Sequence, residues 1–439
     1  MKIGESKSLR TFDPYLLLLL ALLVLERIAA LCILGVDYNL ANDDIGYIGS
    51  GIHFVTDGIV SIYSAQPSAM IMPGMTWLLA LMTKLFGTET AYWLAVKLLW
   101  IAMGTATAYV VYRTALLLTE QRWCGLLAAA AFLMPNVAWM DNVVLTETPY
   151  FLCLTLTVYL TLLMERTDSK KVFVGYCVAY MCGVLLRPTI VVMPVFSLAY
   201  LFLRKVDRML LLRRMICGIV ILLLFLVPWT ARNYHHFDAF IPMTYGTGNP
   251  MLLGTYQGFG YPLDEELDYD NYVEPVFREK YGDYLDDAGE PLDPVHRQYL
   301  TLEKDGVKAD YRMQVWWEEN PISMLLSYLV IKPGAMLVKS FYWVELFGVP
   351  SIVPDVLRVL NFFLCCVTIL LAWKRKELRW ELGFLTFVYW FYIYAIAMTY
   401  SFSRYGETLM SIRYVMGAVG IYWLWEAYRN RKEHKKTSL

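Results

Sequence analysis

The chain has 439 residues, of which 58% are apolar or aromatic and 18% are charged, against about 25% charged in ordinary soluble domains. That composition excludes a soluble globular enzyme, and 38 Lys and Arg offset by 39 Asp and Glu leave no basic excess for binding nucleic acid. The apolar residues fall in runs long enough to cross a hydrocarbon core of about 30 Å, so the expected fold class is all-α, a polytopic membrane protein with about 10 transmembrane helices and an extracytoplasmic loop region.

In chain order the apolar segments are 14–36, 69–86, 91–112, 122–140, 147–164, 172–187, 189–203, 215–231, 352–373, 380–400 and 407–427. The first follows a short basic stretch (Lys2, Lys7, Arg10). It is too long for a signal peptide and lacks a clear cleavage site, so it reads as an uncleaved span. Basic clusters near span ends mark the cytoplasmic side. They lie at the N-terminus, at Arg204 to Arg214, at Lys374 to Arg379 and at Arg429 to Lys436. Placing all four inside makes both termini cytoplasmic and puts residues 37–68, the Arg187-Pro188 turn, the loop after 231 and Ser401–Tyr405 outside. Eleven crossings cannot leave both termini on one side. Segment 69–86, with Pro73-Gly74, is the first candidate not to cross, ahead of 91–112 and 122–140.

The hydrophilic stretch 232–320 carries 18 Asp and Glu against 7 Lys and Arg and reads as an acidic outer loop, solvated and partly mobile or built over a site. Residues 320–348 are apolar but interrupted by Lys332-Pro333-Gly334, Lys339 and Glu345, and read as interfacial, not spanning. Three regions are therefore expected: an N-terminal transmembrane module, 1–231, with outer loop 37–68; an outer loop and interfacial segment, 232–350; and a C-terminal module with a cytoplasmic tail, 351–439. The eight cysteines lie in or beside apolar runs, with neither a disulfide framework nor a zinc spacing.

Charged residues concentrate at the outer ends of spans. Asp43 and Asp44 open the first outer loop, where a carboxylate can act as general base toward a hydroxyl or cap the helix that follows. Arg187, Arg232 and Arg404 end or join spans on the same face, where a guanidinium can hold a phosphate in bidentate fashion or snorkel to headgroups of the membrane lipids. Glu147 starts another span there, as a second acid or a helix-dipole partner. Glu26-Arg27, near mid-membrane, reads as a structural interhelical pair. His53 and His235-His236 read as surface histidines, and whether a divalent cation joins the acids is left open.

Asp43-Asp44-Ile45-Gly46-Tyr47, Pro73-Gly74 with Leu78-Leu79-Ala80 and Leu85-Phe86-Gly87, Thr146-Glu147, Leu185 to Thr189, and Trp229 to Tyr234 followed by Phe237 to Pro242 occur in the order and on the sides seen in one family. The chain resembles the GT-C integral-membrane glycosyltransferases, in the bacterial branch related to protein O-mannosyltransferases and lipid A aminoarabinose transferases. The resemblance implies an inverting enzyme of the plasma (inner) membrane that moves a sugar from a polyprenyl-phosphate carrier to a glycan, lipid or protein acceptor on the extracytoplasmic side. It implies Asp43 as the base, Asp44 and Tyr47 as its neighbours, Glu147 as the second acid, and Arg187 and Arg232 on the departing phosphate. Arg404-Tyr405 resembles the late Arg-Tyr of such chains, although Gly406 to Met410 lack the prolines that usually follow it. A transporter or flippase of a lipid-linked glycan is the alternative. It predicts internal repeats and charges at the midplane, whereas the charges here cluster at the rim.

Overall fold

The computed structural model describes residues 13–437, so Lys2, Lys7 and Arg10 lie outside it. Among the described residues the regular structure is helical, apart from one isolated bridge between Leu285 and Pro291.

Helix α1 (Pro14–Leu34) begins where the Asp13 side chain accepts from the amides of Tyr15 and Leu16, and it ends at Gly35; an acceptor at the cap and proline in the first turn are favourable starts. Helix α2 (Asp43–Asp57) is amphipathic and lies against α3 (Gly74–Phe86). With 13 residues, α3 is about 20 Å long, too short to cross alone. Helix α4 (Thr90–Thr119) is long and half-buried. Segment 122–140 is broken into α5 (Arg122–Ala130), a 3-10 turn (Ala131–Leu133) and α6 (Pro135–Met140), because Pro135 cannot continue the preceding helix. Helix α7 (Glu147–Arg166) is the most buried of the long helices. Helix α8 (Lys170–Leu186) is followed by a 3-10 turn (Pro188–Val192) and α9 (Met193–Leu203), so the segment expected at 189–203 is helical in two pieces. Pro73-Gly74 packs on the end of α8: a Cβ on Gly74 would stand 2.5 Å from the Leu185 carbonyl oxygen.

Helix α10 (Arg208–Phe237) runs past the expected end of its segment and carries Arg232, His235 and His236 on its last turns. The acidic stretch beyond it is folded, not a solvated loop. It contains α11 (Gly248–Thr255), α12 (Tyr269–Tyr281) and α13 (His296–Glu319). Val273, Phe277, Tyr299, Leu300 and Val307 form a core with Trp229, Phe237 and Val60. These apolar residues recur at helical spacing within a polar sequence, so each helix buries one stripe and leaves its acids in solvent.

Pro321–Val338, read as interfacial, is helical throughout. Helix α14 (Pro321–Leu326), a π-helical turn (Ser327–Ile331) and α15 (Lys332–Val338) run on without a break, and by length and composition the run meets what a membrane span needs. Lys332, which argued against a span, is buried; its ammonium lies 3.5 Å from the Tyr328 ring centroid and donates to the Thr399 carbonyl at 3.1 Å. Helices α16 (Ile352–Arg375), α17 (Arg379–Ala397), the short α18 (Ser403–Glu407) and α19 (Met410–Thr437) complete the chain. Seven helical runs among the described residues are long and apolar enough to span, with shorter apolar helices beside them. The chain is a multi-pass, all-α membrane protein.

Candidate active site

The site is assembled at one end of the helices, from the starts of α2 and α7, the end of α8 and the short α18. Buried polar ties fix the approach of these elements. Lys97 of α4 is wholly buried and donates to the carbonyls of Tyr38 (2.7 Å) and Asn142, joining the chain before α2 to the chain before α7. Trp100 donates to the Leu145 carbonyl at 3.0 Å. Arg27 donates through Nε to Asp141 at 2.7 Å and pairs with Glu26 at 3.3 Å, which ties α1 to the same turn.

The adjacent aspartates divide two tasks. Asp44 is fully buried and both its oxygens are taken by backbone amides: Oδ2 accepts from Leu40 at 2.5 Å, and Oδ1 from Asn42 at 3.1 Å and Ile45 at 3.0 Å. The turn before α2 is therefore closed by Asp44, and the Asn42 side chain makes no cap. Asp44, expected beside Asp43 in the chemistry, is placed inside the turn with each oxygen on backbone amides. Asp43, relieved of the capping task, faces the cluster. Its Oδ2 pairs with Arg404 Nη2 at 2.6 Å, and its Oδ1 accepts from the Tyr63 hydroxyl at 2.6 Å. Burial raises the Asp43 carboxyl, but the Arg404 guanidinium and the Tyr63 hydroxyl more than offset this and hold it below its ordinary value of 3.8.

Glu147 is 1% exposed, and its Oε1 serves two cations. Arg187 Nη2 donates to it, and Arg404 Nε stands 3.4 Å away. Oε2 is buried without a hydrogen-bond partner. Arg187 is fixed further by donating through Nε to Thr146 Oγ1 at 2.8 Å. The Tyr405 ring lies under both guanidiniums, 5.2 Å from Arg187 and 5.1 Å from Arg404 by centroid, within cation–π range. Neighbouring acids keep Arg404 charged despite its burial. Tyr47 sits among these four charges, and burial pushes its phenol up to about 12. Asp43, Glu147, Arg187, Arg404, Tyr47 and Tyr405 thus converge.

Arg232 is not brought into this cluster. Its guanidinium donates to the carbonyls of Ser68 (2.9 Å) and Val60 (3.2 Å) and to Asn233 Oδ1, so it closes the loop 60–68. His53 meets Ser61 Oγ at 3.1 Å, and His235 and His236 stack near the end of α10. Among the described residues no group of three or more His, Cys, Asp and Glu side chains could hold a metal ion. The charges of Asp43 and Glu147 are met by guanidiniums, an arrangement that does not fit a divalent cation. Tyr63 was not singled out from the sequence. Nothing in Ser61-Ile62-Tyr63-Ser64 marks it, since its contact with Asp43 depends on how the loop folds back over α2.

Residues 66–231 match the family described as dolichyl-phosphate-mannose-protein mannosyltransferase, a segment that includes Glu147 and Arg187. No curated protein sequence matches the chain. Among solved structures, the chain is similar to the oligosaccharyltransferase AglB of the archaeon Archaeoglobus fulgidus in complex with an inhibitory peptide and a dolichol-phosphate. The TM-score is 0.55 at 13% identity, over 97% of this chain and 52% of that one. The two chains share their helical membrane fold over nearly the whole of this chain. The apo form of the Archaeoglobus fulgidus oligosaccharyltransferase gives a TM-score of 0.56 at the same identity and coverage. ArnT from Cupriavidus metallidurans bound to undecaprenyl phosphate gives 0.43 at 13% identity, over 92% of this chain and 77% of that one. The chain spans about half the length of the archaeal structures it matches.

Proposed function

We propose that this GT-C-fold protein is an inverting glycosyltransferase that moves a sugar from a polyprenyl-phosphate carrier to an acceptor hydroxyl. The acceptor belongs to a glycan, lipid or protein, and the reaction takes place at the outer face of the plasma membrane. Both termini lie in the cytoplasm, in keeping with the basic clusters. In this reading the folded helices of 232–320 stand on the face of the site, between transmembrane modules 1–231 and 351–439, and the apolar run Pro321–Val338 connects them to the second module. The observation that carries this reading is a carboxylate set beside two arginines that share a buried glutamate, all at one end of an apolar helical bundle.

In the reaction Asp43 removes the proton as the acceptor oxygen attacks the anomeric carbon, the anomeric carbon–oxygen bond breaks on the opposite face, and the lipid phosphate leaves with the bonding electrons. Arg404 and Arg187, gathered beforehand by Glu147, take up the charge developing on that phosphate. Glu147 orients the two guanidiniums. Arg404 also pairs with Asp43, so a donor phosphate that competes for this arginine loosens its hold on Oδ2. The base becomes more basic once the donor is bound. The Tyr405 ring packs against both guanidiniums, and the apolar surfaces of the helices receive the prenyl tail.

The test uses purified protein in lipid nanodiscs. Native mass spectrometry with undecaprenyl phosphate is expected to show retention of the lipid, weakened about tenfold or more in Arg404→Ala, since a charge-assisted pair is worth about 1.5–3 kcal/mol. Asp43→Asn should keep the lipid phosphate and lose transfer from a polyprenyl-phosphate sugar by about 10²–10⁴-fold. Equal retention by wild type, Arg404→Ala and Arg187→Ala would overturn the phosphate assignment, and full transfer by Asp43→Asn would overturn the base.

A further inference from the structure

A groove of about 630 Å³ runs between α2 and the loop 60–68, and Asn42, Gly46, Ser50, His53, Ser61 and Tyr63 line it. No Lys, Arg, Asp or Glu is among its lining residues. Its floor at Gly46 and Gly49 is bare backbone, and its walls offer hydroxyls, an imidazole and an amide. Such a surface can hydrogen-bond a neutral polar group, but it has no cation to offset the charge of a phosphate or carboxylate.

The loop forming one wall is pinned at its base and free at its tip. Ser68 N donates to the Val60 carbonyl at 2.8 Å, Arg232 donates to both end carbonyls, and Gln298 of α13 donates to Ile62 O at 3.0 Å. Residues 63–66 at the tip are exposed. Tyr63 has φ +59°, a left-handed conformation that is unusual for a bulky side chain. Its ring covers Gly46 so closely that a Cβ there would stand 2.6 Å from a ring carbon, and its hydroxyl reaches Asp43 Oδ1 at 2.6 Å although the residue is 55% exposed. Arg404 already holds Oδ2. An acceptor hydroxyl that gives its proton to Asp43 must come within about 2.6–3.2 Å of the carboxylate, which is where the Tyr63 oxygen stands.

We propose that this groove is the acceptor site and that Tyr63 is its gate, a positioning residue whose hydroxyl keeps the place of the acceptor oxygen and yields it to a neutral, hydroxyl-bearing acceptor. The inference rests on Asp43 being the base. A pinned base with a free tip lets Tyr63 swing off Gly46 without unfolding the loop, and the vacated space becomes continuous with the groove. An acceptor carrying phosphate is disfavoured because the cations of the site lie on the far side of Asp43.

The experiment places 3-fluorotyrosine at position 63 and follows its ¹⁹F resonance in nanodiscs while a methyl hexoside, a short neutral serine peptide or a methyl hexoside phosphate is added. Either neutral compound is expected to shift the resonance saturably, and whichever does so identifies the source of the hydroxyl. In parallel, Tyr63→Phe keeps the ring over Gly46 and removes the competing hydroxyl. The affinity for the effective probe should then rise about fivefold, as the loss of one competing hydrogen bond implies. A purely structural tyrosine would leave that affinity unchanged. No response to either neutral probe, or a response only to the phosphorylated one, overturns the proposal. Undecaprenyl phosphate retention on the same samples separates the two readings: lipid retained with no probe response removes the gate alone, whereas lipid lost with a normal probe response removes the donor assignment alone.

Discussion

Replacing Glu147 by Gln tests whether the two arginines are held as a phosphate cradle. Glu147 is buried, and one oxygen faces Arg187 and, at 3.4 Å, Arg404. With an effective dielectric of about 20, a charge pair at that distance attracts by about 5 kcal/mol before desolvation. Leaving buried partners unpaired typically costs about 3–5 kcal/mol. Two features lower the figure here: Gln keeps the volume and a carbonyl acceptor, and both arginines are 17% exposed, so they can turn toward water. A destabilisation of about 2–3 kcal/mol is expected. Once released, Arg404 would close fully on Asp43, so the variant should also bind undecaprenyl phosphate less tightly despite its extra positive charge. Thermal unfolding in nanodiscs gives the first quantity, and native mass spectrometry with the lipid gives the second. Wild-type stability together with tighter lipid binding would refute the argument, because it would mean that Glu147 only dilutes the positive charge and does not orient it.

Two further outcomes are expected. The Asp43 carboxyl is held below 3.8 in the free protein, so it remains ionised at neutral pH and its ion pair with Arg404 is lost only as pH falls through the depressed value. The kcat/KM for transfer should therefore be flat from about pH 5 to 8 as far as this group is concerned, and a pH–rate profile with an Asp43-dependent acid limb above pH 5 would contradict it. In the outer helical region Arg312 is wholly buried and donates to Thr255 Oγ1 (2.7 Å), Tyr269 (2.9 Å), the Pro262 carbonyl (2.8 Å) and Asp264. Arg312→Met should loosen the segment between α11 and α12 by about 2–3 kcal/mol, the low end for a broken pair because Asp264 is half exposed. Faster limited proteolysis between residues 256 and 268 would register that change, and an unaltered cleavage rate would refute it.

The division of labour between Asp43 and Asp44 shows where sequence reasoning stops. Two adjacent acids at a helix start suit a cap and a general base equally well, and the sequence offers both roles to both residues. The choice falls to backbone geometry, since Asp44 turns inward to the amides of residues 40–45 and leaves Asp43 facing out. The same holds for the arginines. Arg187, Arg232 and Arg404 look alike as charges at span ends, yet Arg232 spends its donors on the carbonyls of the loop 60–68 while the other two converge on Glu147. The acidic stretch 232–320 shows the reverse failure, because its high charge masked apolar stripes that close a core only when three helices stack.

Composition and hydropathy by themselves determined that the chain is a helical membrane protein. The cost of exposing unpaired backbone in lipid allows few alternatives, and long apolar runs announce themselves residue by residue. Local sequence also supplied the polar residues at span ends and the glycine and proline positions that let α3 meet α8. Tertiary structure alone decided which of those polar residues meet. A contact such as Tyr63 with Asp43, or Arg404 with Glu147 more than two hundred residues away, depends on the angle at which helices leave the bundle, and no local pattern encodes that angle. Burial then sorts the carboxylates by the donors the fold brings to their oxygens: backbone amides at Asp44, guanidiniums at Glu147, and a guanidinium with a tyrosine hydroxyl at Asp43.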